Sequence, residues 1–272
     1  VERSDQVFMR FLVVIMVVLS CAVRAETVHL PGPDGVILNA ELYPAQTKGK
    51  TQAPGVVALH GCAGPYPSRD YDWARRLAAA GHTVLLPDSF GSRGLGSQCG
   101  VRNRSVSRAT RRQDALTALA WLKARPGVPP GGLVLMGWSD GGTTVLAAGG
   151  AQPDLPAGLI RGLIAFYPGC RGYFESKKWE PAAPMLIMIG ESDDWTPAAP
   201  CQSLAEKFPG KITIKTYPGA YHDFDAPDLK IRVHAGLASP ESGSAHTGTD
   251  PAAREDAIKR VPAFIAALPP AP

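Results

Sequence analysis

The sequence predicts an α/β protein, with one mostly parallel central sheet of about eight strands flanked by helices on both faces. Short runs of consecutive apolar residues, bounded by turn residues, suit strands buried on both sides. Between them lie longer segments whose apolar residues recur at helical spacing, and strands alternating with helices build a parallel sheet. The length of 272 residues and the 45% apolar content are enough for one large core, expected over residues 26–272.

Taken in order, residues 1–25 read as a secretory signal peptide. Arg10 precedes the apolar run from Phe11 to Leu19, and small residues lead to an end at Val23-Arg24-Ala25. A start at Met9 would leave residues 1–8 as an upstream artefact. The run falls short of the roughly 20 residues a membrane span needs, so no stable span is expected after cleavage; an uncleaved anchor is the alternative. This implies an exported protein, periplasmic or secreted.

Residues 27–30 and 36–43 alternate around the turn Pro31-Gly32-Pro33-Asp34-Gly35, a hairpin that places an antiparallel edge on the sheet. Residues 55–59 form a continuous apolar run ending at His60-Gly61. A helix over 70–80 carries Trp73, Leu77 and Ala80 on one stripe and stops at Gly81. Strand 83–87 follows, then a helix over 111–125 with Ala115, Leu116, Leu119 and Leu122 on its inner face, ended by Pro126-Gly127. Strand 133–136 turns sharply into a helix over 143–148. Strands at 163–167, 185–189 and 212–217 complete the sheet, with helices at 203–208 and 253–268. Residues 89–108 look irregular, and the polar stretch 226–250 reads as a mobile insertion.

Net charge is +4 and the basic residues form no dedicated tail, which argues against nucleic acid as a partner. Removing the leader leaves Cys62, Cys99, Cys170 and Cys201. An even count in an exported chain suggests disulfides, with three connectivities possible. Cys62–Cys99 and Cys170–Cys201 are favoured because each would join loops at one end of the sheet; four free thiols are the alternative.

The chemistry centres on Gly137-Trp138-Ser139-Asp140-Gly141, a Gly-x-Ser-x-Gly motif between an apolar strand and a helix. So tight a turn strains the serine backbone and leaves no room for side chains at the flanking glycines, which raises the hydroxyl at the carboxyl end of the sheet. Ser139 is therefore the candidate nucleophile. A serine needs a base. Of the six histidines only His222 lies just beyond the last strand, on a loop able to return over the serine. His60 is expected to hold a loop by hydrogen bonding, and His234 and His246 to face solvent. No histidine pair has metal-ligand spacing, and no cofactor or metal is implied. The base needs an acid: Asp193 follows strand 185–189, with Asp194 as runner-up and Asp223 as a structural neighbour of His222. The order Ser, Asp, His suits this architecture. The oxyanion of acyl transfer needs backbone donors, which Asp140 and, in His60-Gly61-Cys62-Ala63-Gly64, Cys62 can supply.

With these motifs, together with Pro87-Asp88-Ser89-Phe90-Gly91-Ser92-Arg93-Gly94, Gly190-Glu191-Ser192-Asp193-Asp194-Trp195-Thr196-Pro197 and Tyr221-His222-Asp223-Phe224, the chain resembles the dienelactone hydrolase family of the α/β-hydrolase fold over roughly 28–268. The enzymes that name the family use a cysteine nucleophile to open a cyclic lactone. Ser139 stands at that position here, so the resemblance implies the fold and a triad rather than that substrate. It also implies a substrate contact from Arg93, where the family often places an arginine near a substrate carboxylate; structural pairing is the equal alternative. The basic residues Arg102, Arg104, Arg108, Arg111 and Arg112 add positive potential nearby, or else form a solvated basic start to the helix. The resulting expectation is a serine hydrolase acting on small carboxylic esters or lactones. The alternatives are a non-catalytic ligand-binding protein on the same fold, and a peptidase or amidase using the same triad.

Overall fold

The computed structural model describes residues 25–46 and 53–269; the leader expected at 1–25 lies outside them save its last residue. In chain order the elements are β1 (Glu26–Pro31), β2 (Ile37–Tyr43), β3 (Val56–Leu59), α1 (Pro67–Ala79), β4 (Val84–Pro87), α2 (Arg108–Lys123), β5 (Leu133–Trp138), α3 (Asp140–Ala148), β6 (Ile160–Phe166), α4 (Arg171–Glu175), β7 (Met185–Gly190), α5 (Ala198–Lys207), β8 (Ile212–Tyr217), β9 (Arg232–Ala235), β10 (Ser244–Thr247) and α6 (Pro251–Ala266). Eight strands form the main sheet in the order β1-β2-β4-β3-β5-β6-β7-β8. The hairpin β1–β2 joins β4 antiparallel, and every later pair is parallel.

All residues of β3, β4, β5 and β7 are buried. That is why these segments are apolar throughout rather than alternating: both faces of the sheet's middle are covered. Helix α1 starts one turn earlier than its apolar stripe suggests, because Pro67 sits at a first-turn position where its missing N–H is not needed. Ser107 caps α2 by accepting from Thr110 N. Asp250 caps α6 through Ala253 N in the same way.

The stretch 226–250 departs from expectation. It is an antiparallel hairpin, β9–β10, with Ala245 opposite His234 and Thr247 opposite Arg232. Backbone bonds tie it down: Gly248 N to His222 O at 3.0 Å, Asp250 N to Phe224 O at 3.0 Å, and Ala238 N to Cys99 O at 2.8 Å. Each strand is only four residues long and Val233 in β9 is exposed, so the alternation is too brief for periodicity to reveal them.

Both favoured disulfides form. Cys62–Cys99 ties the loop after β3 to the irregular 89–108 segment, and Cys170–Cys201 ties the loop after β6 to α5. No described helix is long and apolar enough to cross a membrane.

Cys170–Cys201 closes a loop with a sequence separation of 31. Replacing both cysteines by serine should lower unfolding free energy by about 3–4 kcal/mol, through the entropy returned to the unfolded chain. Denaturant titration against the wild type measures it; an unchanged midpoint would mean that this bridge adds nothing to stability.

Candidate active site

Ser139 sits between β5 and α3 with φ 54° and ψ −116°, a backbone conformation that side-chain-bearing residues rarely adopt. Its N–H donates to Phe166 O at 2.9 Å on the neighbouring strand, and its carbonyl accepts from Thr143 N at 2.8 Å in the helix. The flanking glycines are required by contact. A Cβ on Gly137 would come within 2.5 Å of Gly141 O, and one on Gly141 would run into the Leu59 carbonyl of β3. The motif thus reports how closely α3 is pressed against the strands beneath it.

The loop after β8 brings His222 over this serine. His222 Nε2 lies 2.9 Å from Ser139 Oγ, and His222 Nδ1 lies 2.7 Å from Asp193 Oδ2. Asp193 is held from its other side: its Oδ1 accepts from Trp195 N at 2.9 Å and Thr196 N at 2.8 Å. The Thr196 hydroxyl lies 3.0 Å from Asp193 Oδ2. All three side chains are buried. Burial disfavours a protonated His222. The adjacent Asp193 carboxylate outweighs it through charge and hydrogen bond, with Asp223 acting in the same sense and Arg69 against, so the His222 pKa stands above its ordinary 6.5. The structure thus brings together residues from the ends of β5, β7 and β8. The runner-up Asp194 points elsewhere, pairing with His246 Nδ1 at 2.7 Å on the hairpin.

The expected amide donors lie beside the serine. Asp140 is the first residue of α3, so its N–H belongs to the helix's unpaired N-terminal set. Cys62 lies in a tight turn closed by Gly64 N donating to Gly61 O, which leaves the Cys62 amide outside the closing bond. A buried arginine spans these two segments. Arg111 donates to Asp140 Oδ2 at 2.5 Å and to the His60 carbonyl at 2.8 Å. Burial alone would raise the Asp140 pKa, yet Arg111 and Arg104 outweigh it and hold the carboxyl below its usual range.

Arg93 is engaged away from the serine. It makes a two-pronged pair with fully buried Asp114 on α2, at 2.8 and 2.9 Å, and also donates to Ser89 O. Leaving Asp114 unpaired would be costly, since breaking a buried pair typically loses about 3–5 kcal/mol. The side chain lines neither cleft that reaches Ser139. The expectation of a substrate contact from Arg93 therefore gives way to a structural role.

Sequence reasoning did not anticipate the layer behind His222. Arg69 is buried and pairs with Asp70 at 2.8 Å and Asp223 at 2.7 Å, with its guanidinium over the Trp138 ring. Asp225 is fully buried and accepts from Trp73 Nε1, Trp138 Nε1 and Tyr167 Oη at 2.7, 2.9 and 2.6 Å. Tyr167 packs against the His222 ring, centroids 4.5 Å apart. One signal was present: Trp138 in the serine motif carries a buried N–H that must find an acceptor.

Two clefts of about 410 and 420 Å³ reach Ser139, sharing Cys62, Cys99 and Trp195 in their walls. His234, expected to face solvent, instead lines the first. Among the described residues no group of three or more His, Cys, Asp or Glu is arranged to hold a metal ion.

Residues 41–268 match the dienelactone hydrolase family. A thiohydrolase, apmlB, of Arthrinium phaeospermum is 30% identical over 129 residues, which is 47% of this chain and 40% of that relative. The chain therefore matches less than half of that protein's length. Among solved structures, a putative dienelactone hydrolase from Klebsiella pneumoniae superposes with a TM-score of 0.68 at 19% identity, covering 90% of this chain and 99% of the other. The apo form of Thermogutta terrifontis esterase 2 gives 0.65 at 22%, covering 89% and 94%. At such identities these likenesses speak to the fold.

The His60 ring yields a prediction. Nδ1 donates to Gly61 O at 2.8 Å and Nε2 accepts from Ser89 N at 3.1 Å, the pattern of a neutral imidazole. Burial, reinforced by Arg111, lowers its pKa to about 3, so the 3.6 Å approach of Asp88 is not an ion pair. Between about 3 and the ordinary 6.5 the unfolded chain binds a proton that the folded protein does not, so stability should rise with pH across that window. One such proton adds at most about 1.4 kcal/mol per pH unit. His60 ring nitrogen shifts should accordingly stay those of the neutral Nδ1–H form at pH 4.5; protonated-ring shifts there would refute the assignment.

Proposed function

This chain belongs to the dienelactone hydrolase family, and from that premise we propose that it is a serine hydrolase of small carboxylic esters or lactones, working through an acyl-enzyme. The observation that carries this reading is the unbroken hydrogen-bonded line Asp193–His222–Ser139 at the meeting of two clefts.

Each group has a part that follows from its surroundings. Asp193, anchored by two backbone amides, accepts from His222 Nδ1–H. That leaves the lone pair of Nε2 facing the serine hydroxyl. His222 takes the Oγ proton as Oγ attacks the substrate carbonyl carbon, and Asp193 stabilises the imidazolium that results. The negative charge that develops on the carbonyl oxygen is met by the Asp140 and Cys62 amides, whose dipoles are fixed before reaction starts. Collapse of the tetrahedral intermediate breaks the carbon–oxygen bond to the alcohol, which leaves with the proton from His222. In a lactone that alcohol stays tethered to the acyl group. Water then attacks the acyl-serine by the same steps in reverse roles, releasing the acid. Arg111 supports both amide donors by joining the residue before Gly61 to Asp140. The leader expected at 1–25 and the two disulfides support an exported setting, periplasmic or secreted.

Ser139→Ala should lower kcat/KM for p-nitrophenyl butyrate on the order of 10⁴-fold or more, and abolish covalent labelling by a fluorophosphonate. Comparable turnover by both proteins would remove Ser139 from the reaction. Because the base must be neutral and its pKa is raised, kcat/KM should climb with pH through a midpoint above 6.5 in the wild type. In Asp193→Asn the supporting charge is gone, so the residual activity should titrate at lower pH. A midpoint that does not move would separate Asp193 from the titrating histidine.

A further inference from the structure

The two clefts at Ser139 differ in what they can hold. The first includes His222 in its wall, with Leu229, Leu237, Trp195 and two arginines: Arg69, which is paired with Asp70 and Asp223, and Arg232, which donates to His234 Nε2. The second lacks His222; its wall carries Asp140, Thr143 and three arginines, Arg102, Arg104 and Arg108. The Asp140 carboxylate is already satisfied, by Arg111 at 2.5 Å and Arg104 at 3.1 Å. Among the described residues Arg102 and Arg108 have no carboxylate within ion-pair distance, and Arg108 rests its guanidinium over the Tyr173 ring at 5.8 Å. The wall of the second cleft therefore carries two exposed positive charges without a carboxylate partner.

Reaction chemistry orients the substrate between the clefts. The departing alcohol receives its proton from His222 Nε2, so the alcohol half must lie where that nitrogen is reached, in the first cleft. The acyl half is then left to the second. On the reading that Ser139 is acylated, we propose that the arginine-lined cleft is the acyl site and selects an anionic acyl group. The preferred substrates are half-esters of short dicarboxylic acids, with the free carboxylate on Arg102 and Arg108 and an apolar alcohol toward Leu229 and Leu237. Hydrolysis releases the alcohol and the diacid, with water supplying the hydroxyl and the proton.

Three esters test this: monoethyl glutarate, with its charge on the acyl side; ethyl valerate, uncharged; and carboxymethyl butyrate, with its charge on the alcohol side. Rates are followed by proton release at low salt. The expected result is a kcat/KM for monoethyl glutarate about tenfold above ethyl valerate, the scale of one charge-assisted contact partly open to water. That ratio should shrink at about 0.5 M salt, where screening reaches only a few ångströms. It should fall toward one in Arg102→Gln/Arg108→Gln, with the loss appearing in KM. Fluorophosphonate labelling of Ser139 in that variant checks that the site is intact. A ratio at or below one, no turnover of any ester while Ser139 still labels, or a preference for carboxymethyl butyrate overturns the acyl-site assignment and leaves the serine-hydrolase reading standing. No turnover of any ester together with an unreactive Ser139 overturns both.

Discussion

A serine held at φ 54° is the constraint around which the site is built. Such a conformation costs on the order of 1–3 kcal/mol and persists only where its surroundings leave no alternative. Here they are supplied by three strands and a helix. Phe166 O on β6 takes the Ser139 amide, α3 takes its carbonyl through Thr143, and Gly141 lies so near β3 that no side chain fits. Because the parallel strands β3, β5 and β6 set the position of this turn, the hydroxyl and the Asp140 amide inherit the rigidity of the sheet. A loop would not hold them so.

Charge buried near that turn is paired twice over. On one flank Arg111 links Asp140 to the His60 carbonyl, which ties the start of α3 to the turn after β3. On the other, Arg69 balances Asp70 and Asp223, while Asp225 gathers two indole N–H groups and the Tyr167 hydroxyl. Buried charges of this kind add little net stability compared with apolar packing. What they contribute is geometry: Trp138, Tyr167 and the His222 loop converge on single acceptors that tolerate little displacement. Burial keeps Asp70 and Asp225 above their ordinary carboxyl range, with Arg69 opposing in both cases.

The cleft walls are assembled from segments with little regular structure, and covalent bonds stand in for it. Cys62 belongs to the turn that offers an amide beside the serine and is also bonded to Cys99 in the 89–108 segment. Both cysteines of that bond line both clefts. The β9–β10 hairpin closes the first cleft from above the histidine and is pinned at His222 itself by Gly248 N. The wall of the first cleft and the position of His222 therefore share a support.

Sequence alone was enough for the sheet and for the three side chains that meet at Ser139, because both depend on local pattern. A short, fully apolar run bounded by turns suits a covered strand, and a Gly-x-Ser-x-Gly turn between strand and helix leaves few conformations open. Asp193 and His222 were legible because each follows a strand of that sheet. What tertiary structure decided was the fate of long polar side chains and short irregular segments. Arg93 stands where a substrate contact was expected, but Asp114, 21 positions later, claims it. His234 seemed solvent-facing until the hairpin turned it into a cleft. A charged group reaches far enough to choose among many partners, and only folded coordinates show which one is within hydrogen-bonding distance.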